Sequence, residues 1–159
     1  MFTADPLEVH SLGELMLRLG LASLIGLLLG LDRELNGHEA GIRTHALVAL
    51  SSAMIMVSSL ILFDQLRADD FAPDPLRAIQ GLSQAIGFIA AGMIFVQGRT
   101  VRNMTTAANI WITASIGIAC GAGQYLVVLV GAGFALALLT LLRIFRRFLP
   151  TEQRDKAGD

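Results

Sequence analysis

The chain has 159 residues, of which 54% are hydrophobic and 16% charged, with a net charge of −1 and a mean hydropathy of +0.64. In soluble domains about a quarter of all residues are charged, so this chain lacks the polar surface that a soluble fold needs. The near-neutral charge excludes the basic footprint of a nucleic-acid-binding protein. The single cysteine, Cys120, excludes an intrachain disulfide and a cysteine-rich metal site. The composition therefore predicts a membrane protein.

Five apolar runs have the length of a membrane-spanning helix, which needs about 20 residues. In chain order the predicted spans are residues 14–31, 44–63, 79–96, 104–122 and 124–145. We expect an all-α fold, a bundle of five transmembrane helices within residues 1–145, followed by a short basic tail at 146–159. Arg18 lies near the start of the first span, where its long side chain is predicted to extend to the membrane interface.

Basic residues are distributed unequally between the two sides of this predicted bundle. Nine of the twelve share one side: Arg33, Arg43, Arg99, Arg102, Arg143, Arg146, Arg147, Arg154 and Lys156. Only Arg18, Arg67 and Arg77 lie on the other side. Because basic loops stay in the cytosol, the N-terminus is predicted to be periplasmic and the C-terminus cytosolic. Tyr125 is then expected at the outer interface.

Each predicted span also contains pairs of small residues four positions apart, for example Gly26 with Gly30 and Gly117 with Gly121. Helices approach each other closely in lipid through such residues, so we expect a tight bundle. The sequence leaves open whether the bundle forms a homo-oligomer.

Two spans carry polar residues on one helical face. These stripes recur at helical spacing, with Gln80, Gln84, Gly87 and Ala91 in the third span and Arg102, Thr106, Asn109, Thr113 and Cys120 in the fourth. The short connection makes the two helices antiparallel neighbours, so the stripes are placed to meet. Two interpretations stay open: interhelical hydrogen bonding, and a lined path or ligand pocket near the middle of the membrane.

Between the first two spans lies GLDRELNGHEAGIRTHALVAL, residues 30–50, with seven ionisable side chains within fourteen residues. Gly37 and Gly41 break the helical pattern, and Thr44 is predicted to be a cap or first-turn residue of the second span. Arg43 lies where the positive end of the helix dipole disfavours a cation. Such a cation needs a carboxylate or another acceptor, and three carboxylates lie nearby: Asp32, Glu34 and Glu39.

This charged cluster has two interpretations. It is either a solvated, ion-paired loop at the membrane surface or a site organised by charge on the cytosolic side. In the second case, Arg99 and Arg102 from the other cytosolic loop are expected to contribute.

Two blocks of sequence carry recognisable motifs. Residues 26–53, GLLLGLDRELNGHEAGIRTHALVALSSA, contain G-x-[DE]-R-[EQ] followed by A-G-[LI]-R-T-x-x-L-V. Residues 85–123, AIGFIAAGMIFVQGRTVRNMTTAANIWITASIGIACGAG, contain G-F-[LI]-x-x-G-x-I, then G-x-x-V-R and T-A-A-x-[IL]-W. In this order and spacing the chain resembles the MgtC/SapB family of bacterial inner-membrane proteins.

The resemblance implies a multi-pass bundle of about five spans in the bacterial inner membrane. The positions that match the family motifs are Asp32, Arg33, Glu34, Gly41, Arg43, Thr44, Gly98, Arg102, Thr105, Ala107, Ala108 and Trp111. Together with the stripe residues Gln80, Gln84, Thr106, Asn109 and Thr113, they are the candidate functional residues. Members often have glycine where this chain has Ala90 and Ala91, and an acidic residue can occur near the neutral Gln97. A site that needs a carboxylate at that hairpin is therefore weakened here.

Longer members of the family carry a regulatory domain after the membrane part, so the chain is expected to belong to the short, membrane-only branch. The resemblance implies a role in magnesium limitation, acid stress or intracellular survival, and in some members inhibition of the membrane ATP synthase. Three classes stay open: a regulator that docks on another inner-membrane complex, a small magnesium, cation or proton transporter or channel, and a structural or lipid-organising bundle.

The residues themselves favour the regulator. No Asp or Glu lies deep within a predicted span, which argues against a dedicated internal cation site. No catalytic motif is present, so we expect no enzyme activity, no cofactor and no resident metal. The lipid bilayer is the expected partner, another inner-membrane complex and a second copy of the chain are the candidate protein partners, and nucleic acid is not among them.

The predicted topology can be tested with reporter fusions. Alkaline phosphatase fused after residue 38 or residue 155 should be inactive, because both positions are expected in the cytosol. Fusion after residue 70, in the predicted periplasmic loop, should be active and is the matched control. Phosphatase activity at residue 38 or 155 would contradict the five-span topology.

Overall fold

The computed structural model describes residues 11–66, 74–97 and 100–146, which form five helices and one β-hairpin. The helices are α1 (Leu12–Leu35), α2 (Ile42–Leu66), α3 (Leu76–Gly92), α4 (Met104–Gly121) and α5 (Tyr125–Arg146). Strands β1 (Phe95–Gln97) and β2 (Thr100–Arg102) connect α3 to α4. The helical fold class is confirmed, with one helix at each of the five predicted positions. Most of the predicted basic tail, residues 147–159, lies outside the described residues.

Within the described residues, α1 and α2 are the two helices long and apolar enough to cross a membrane. They have 24 and 25 residues and mean hydropathies of 1.8 and 2.3, which makes each more than about 35 Å long against a hydrocarbon core of about 30 Å. Helices α3 and α4 have 17 and 18 residues. The apolar part of α5 that the structure describes, Tyr125–Leu141, is also shorter. That all five helices cross a bilayer stays a prediction.

The predicted third span, residues 79–96, is wrong at both ends, because α3 begins at Leu76 and ends at Gly92. Pro75 occupies the position before the helix, and the Asp74 carboxylate accepts a hydrogen bond from the Leu76 N–H at 2.9 Å. A carboxylate at this position caps the free N–H groups of a first turn. Local capping, rather than hydrophobicity, therefore decides where α3 starts.

The segment after α3 is a β-hairpin rather than the end of a helix. Strands β1 and β2 pair antiparallel, with Val96 opposite Val101 and Phe95 opposite Arg102. The sequence carries the signal, because β-branched residues flank a two-residue connection that contains glycine. Phe95 and Val96 are apolar, so they extend the hydrophobic run beyond the end of α3. Hydrophobicity alone therefore predicts a longer helix.

Helix α1 packs against α2 through two glycines. A Cβ atom on Gly26 would lie 2.7 Å from the carbonyl oxygen of His45, and one on Gly30 would lie 2.6 Å from the Cα of Ile42. Real Cβ atoms do not approach other atoms so closely, so only glycine fits at either position. The later residue of α1, Gly30, lies against an earlier residue of α2 than Gly26 does, so the two helices are antiparallel.

Helix α4 packs against α2 in the same manner. A Cβ on Gly117 would clash with the carbonyl oxygen of Ala49, and one on Gly121 would lie 2.5 Å from that of Ala53. Here the numbers on both helices rise together, so α2 and α4 are parallel. These contacts confirm the tight packing that the small-residue pairs predict for α1, α2 and α4.

The helix directions give the bundle two distinct ends. We call the end with the C-terminus of α1, the N-termini of α2 and α4 and the β-hairpin the hairpin end, and the other the opposite end. The main apolar core lies between α1, α2, α4 and α5 and includes Leu29, Ala49 and Val128. A smaller cluster near the hairpin end joins α3 to α4 through Ile86 and Ile110.

The close contact of Gly117 with α2 predicts that alanine substitution there lowers stability, whereas the same substitution at an open glycine does not. Gly117→Ala should lower thermal stability in detergent, because overpacking costs about 1–3 kcal/mol. Gly133→Ala on α5 is the control: its Cβ would meet nothing within 4 Å, so its higher helix propensity should leave stability equal or raised. Fluorescence of the single tryptophan, Trp111, reports unfolding. Equal melting temperatures for the two variants would contradict the close contact.

Candidate functional site

Arg33 is the buried centre of the hairpin end. Its side chain is 5% exposed, and its guanidinium Nη2 donates a hydrogen bond to the Thr106 hydroxyl oxygen at 2.7 Å. Arg33 belongs to the first motif block and Thr106 to the second, 73 residues further along the chain. The structure therefore brings the two motif blocks together at one buried contact.

Glu34 satisfies the N-terminus of α2. Its Oε2 accepts a hydrogen bond from the Ile42 N–H at 2.9 Å. A carboxylate is favoured there, because the first N–H groups of a helix lack intrahelical acceptors and carry the positive end of the dipole. A Cβ on Gly41 would lie 2.5 Å from this same oxygen. The glycine of the A-G-I-R-T motif thus leaves the space that the carboxylate occupies.

Glu39 connects the turn after α1 to the start of α4. Its Oε2 accepts a hydrogen bond from the Asn103 side-chain amide at 2.9 Å. Asn103 precedes α4 with φ of 65°, a left-handed conformation that asparagine tolerates better than most residues. Asp32 is half-buried and Arg102 exposed nearby, and each makes interactions of its own. The carboxylates of Glu34 and Glu39 therefore hold the starts of α2 and α4 in place.

Among the described residues, Arg43 is not the centre of this network, and two of the carboxylates predicted as its partners, those of Glu34 and Glu39, bind other groups. Arg43 is exposed on the first turn of α2, beside the half-buried Thr44. The carboxylate of Glu34 binds the helix backbone instead, and that of Glu39 binds Asn103. The dipole argument identifies where a carboxylate is needed. The Glu34 carboxylate, however, accepts its hydrogen bond from the Ile42 backbone N–H rather than from the arginine side chain.

The two predicted polar stripes do not meet. Helix α3 packs on α4 with an apolar side, where Ile86 contacts the cluster of Ile110 and Ala114. Gln80 and Gln84 lie on the other side of α3 and are exposed. On α3 both the apolar and the polar residues recur at helical spacing, and the apolar face is the one that is buried.

On α4, the polar stripe hydrogen bonds mainly to its own helix. The Asn109 amide donates to the Thr105 carbonyl at 2.9 Å, and the buried Thr113 hydroxyl donates to the Asn109 carbonyl at 2.7 Å. These contacts favour local hydrogen bonding over a lined path. The side chains of Thr105 and Trp111 are exposed, and Gly98 lies outside the described residues.

A second polar cluster, at the opposite end, is absent from the sequence-based predictions. Arg18 is 0% exposed, its Nε donates to the Glu14 carboxylate at 2.7 Å, and its Nη1 donates to the Gly121 carbonyl at 2.9 Å. The Tyr125 hydroxyl donates to the same carboxylate. The prediction that Arg18 extends to the membrane interface is therefore wrong, whereas the position of Tyr125 at the outer interface stays a prediction.

The reason lies in the C-terminus of α4, whose last carbonyl groups lack intrahelical donors and carry the negative end of the dipole. A buried guanidinium satisfies one of them. A local signal was present in the sequence: Ser11 and Glu14 have the spacing of a capping box, and Ser11 Oγ accepts from the Glu14 N–H at 3.1 Å. Glu14 also precedes Arg18 by four residues, the spacing of a helical ion pair.

Helix α2 carries two buried polar side chains at the three-helix contact. His45 is 0% exposed, and its Nδ1 lies 2.9 Å from the Gly41 carbonyl oxygen. Because a carbonyl only accepts, we assign the ring proton to Nδ1. His45 Nε2 and Ser52 Oγ are buried without a hydrogen-bond partner among the residues described. Within that part of the chain, no group of three or more His, Cys, Asp or Glu is placed to hold a metal ion.

Comparison with known proteins identifies one family. The profile of the MgtC family matches residues 19–148, a segment that contains both motif blocks. Protein MgtC of Brucella abortus (strain 2308) is 38% identical over 123 residues, which cover 77% of this chain and 48% of that protein. Protein MgtC of Salmonella typhimurium (strain 14028s / SGSC 2262) is 39% identical over 111 residues, covering 69% and 44%.

A further relative is YhiD of Escherichia coli (strain K12), whose name describes a proposed magnesium transporter. It is 38% identical over 127 residues, which cover 79% of this chain and 59% of YhiD. The chain thus spans about half the length of the curated relatives it matches. No solved structure matches the chain at comparable significance.

The buried contact at the hairpin end predicts a difference between two adjacent threonines. Thr106→Val removes one acceptor of the buried Arg33 guanidinium and should destabilise the fold by about 1.5–3 kcal/mol, the usual range for a hydrogen bond to a charged group. Thr105→Val is the control, because the Thr105 side chain is exposed. Melting temperatures in detergent measure both. If Thr105→Val were as harmful as Thr106→Val, the Arg33 contact would not be structurally important.

Proposed function

Because the chain belongs to the MgtC family, we propose that it is a multi-pass protein of the bacterial inner membrane that regulates another membrane complex, such as the ATP synthase. The proposed setting is magnesium limitation, acid stress or intracellular survival. All five helices cross the bilayer in this proposal, with the hairpin end in or near the cytosol. The name of YhiD supports the connection with magnesium.

The arrangement of the hairpin end supports a docking role. It is held together by the buried contact of Arg33 with Thr106 and by the exposed contact of Glu39 with Asn103. Both contacts join elements that are far apart in sequence, so the surface above them is kept in one shape. Exposed side chains of this surface and of the adjoining part of α4 include Glu34, Arg43, Arg102, Thr105 and Trp111. Arginine and tryptophan are enriched where proteins bind each other.

The observation that carries the proposal is the closeness of α2 to α1 and α4. Gly26 and Gly30 of α1, and Gly117 and Gly121 of α4, touch backbone atoms of α2, with no space for even one added carbon. Magnesium usually retains several waters and one or two carboxylate ligands when it binds proteins. The contact of these three helices provides neither the room nor the carboxylates for such an ion. It is better suited to a rigid scaffold than to a path.

A second candidate function is a small transporter of magnesium, another cation or protons that works as an oligomer. The observation that favours it is the pair of buried polar atoms on α2, His45 Nε2 and Ser52 Oγ. The two residues are seven positions apart, so they lie on one face of the helix. Buried polar atoms within a membrane often mark a route for ions or protons.

The two functions can be separated with purified protein and with native membranes. In liposomes, the regulator should give no magnesium or proton flux above that of empty vesicles. In native membranes, it should form a specific crosslinked complex with another membrane protein. Arg43→Ala should preserve the melting temperature, because the residue is exposed, and should reduce complex formation about fivefold, as truncation of an interface arginine can cost about 1 kcal/mol.

Arg77→Ala is the matched control, since Arg77 is exposed at the start of α3, at the opposite end. It should leave complex formation unchanged. Flux in liposomes without any partner would instead establish the transporter. Equal effects of the two arginine variants would contradict docking through the hairpin end.

A further inference from the structure

We propose that the exposed side of α3 that carries Gln80, Gln84, Gly87 and Ala91 is the contact between two copies of this chain within the membrane. We call it the glutamine face. This inference rests on the membrane embedding proposed above, but it does not depend on whether the protein regulates or transports.

The glutamine face points away from the rest of the subunit. Leu82, Ile86 and Ala90 are the buried residues of α3, and a rotation of about 100° per residue places both glutamines on roughly the other side of the helix. Gln80 and Gln84 are exposed. Gln84 is the ninth residue of a helix of 17, so it lies at the middle of α3 rather than at an interface with water.

An amide at this depth needs a partner. Lipid tails offer neither donors nor acceptors, so polar side chains in spanning helices face protein or a water-filled cavity. A glutamine side chain contains both a donor NH₂ and an acceptor oxygen. A second glutamine is therefore its chemical complement, whereas a cation or an anion would satisfy only half of the group.

This complementarity favours a second copy over a different protein. Around a twofold axis the same patch meets itself, so Gln80 and Gln84 of one chain can exchange hydrogen bonds with those of the other. Two amides four residues apart on one helix make such a patch self-complementary without any matching partner sequence. Both amides are neutral, so no like-charge repulsion opposes the contact.

The remaining residues of the glutamine face permit a close approach. A Cβ on Gly87 would meet nothing within 4 Å in the single chain, and Ala91 is small and exposed. Small residues allow two helix backbones to come near enough for interhelical hydrogen bonds. Phe88, 82% exposed, lies one turn beyond Gln84 and borders the face, where it can cover the contact from lipid.

Such a dimer has a consequence for the hairpin end. Because α3 continues into β1 within a few residues, contact through the glutamine face brings the two hairpins side by side. The docking surface then belongs to two chains rather than one.

The test is disulfide crosslinking in native membranes. The buried Cys120 is replaced by alanine so that only an introduced thiol reacts, and two differently tagged copies are expressed together. Gln84→Cys, oxidised with copper phenanthroline, should give a covalent dimer that contains both tags, because a disulfide requires Cα atoms within about 7 Å. Ile89→Cys, exposed on another side of α3, is the control and should give little dimer.

Three results would overturn the interface: no adduct at residue 84, equal adducts at residues 84 and 89, or an adduct with a different protein in place of the second tag. If reporter fusions at the same time show the expected topology, only the interface is wrong. If they place residue 38 outside the cytosol, the embedding fails and the interface with it.

A second pair of variants measures the association without thiols. Gly87→Leu adds bulk where the single chain has open space, so it should preserve the melting temperature and abolish the mixed-tag dimer. Gly133→Leu on α5, which is also open in the single chain, should leave the dimer intact. Gln80→Leu combined with Gln84→Leu should weaken dimerisation about tenfold, the effect of losing one or two interhelical hydrogen bonds. An unchanged dimer in either glutamine-face variant would contradict the proposal.

Discussion

Direct contact between the backbone of α2 and those of α1 and α4 is the constraint on which the rest of the structure depends. In lipid, apolar burial does not drive helices together, so close packing and hydrogen bonds must do so. Glycines such as Gly30 and Gly117 allow that packing where any side chain would collide with α2. Because α2 is antiparallel to one neighbour and parallel to the other, the end of α1 and the start of α4 lie at the same level. This alignment is what allows Arg33 to reach Thr106.

Charged side chains then complete the helix termini that this packing leaves without partners. Glu34 accepts from the first turn of α2, and Arg18 donates to the last carbonyl of α4. In each case the sign of the charge agrees with the helix dipole. Charged side chains therefore stabilise helix termini at both ends of the bundle.

The positions of the five helices and the meeting of the two motif blocks could be predicted, because long apolar runs and short polar connections determine them. The rotation of each helix about its own axis could not. On α3, a polar stripe and an apolar stripe have the same period, and nothing in the sequence says that the apolar one with Ile86 faces α4. The helix dipole draws attention to Arg43, whereas Arg33 is the buried arginine of this end. The burial of Arg18 was not predicted, because one of its acceptors is the backbone carbonyl of Gly121, which the spacing of Glu14 and Arg18 does not indicate.

The position of Arg18 has a consequence for the synthesis of the protein. Its carbonyl acceptor belongs to a residue 103 positions later in the chain, which the ribosome produces roughly 5–20 s afterwards at ordinary bacterial rates of elongation. In the proposed membrane embedding, the first helix carries a guanidinium in the bilayer throughout that interval, before its final partner exists. Glu14, one turn away on the same helix, is already made and supplies the opposite charge. The ion pair between Arg18 and Glu14 thus compensates the charge of Arg18 until the fourth helix has been made.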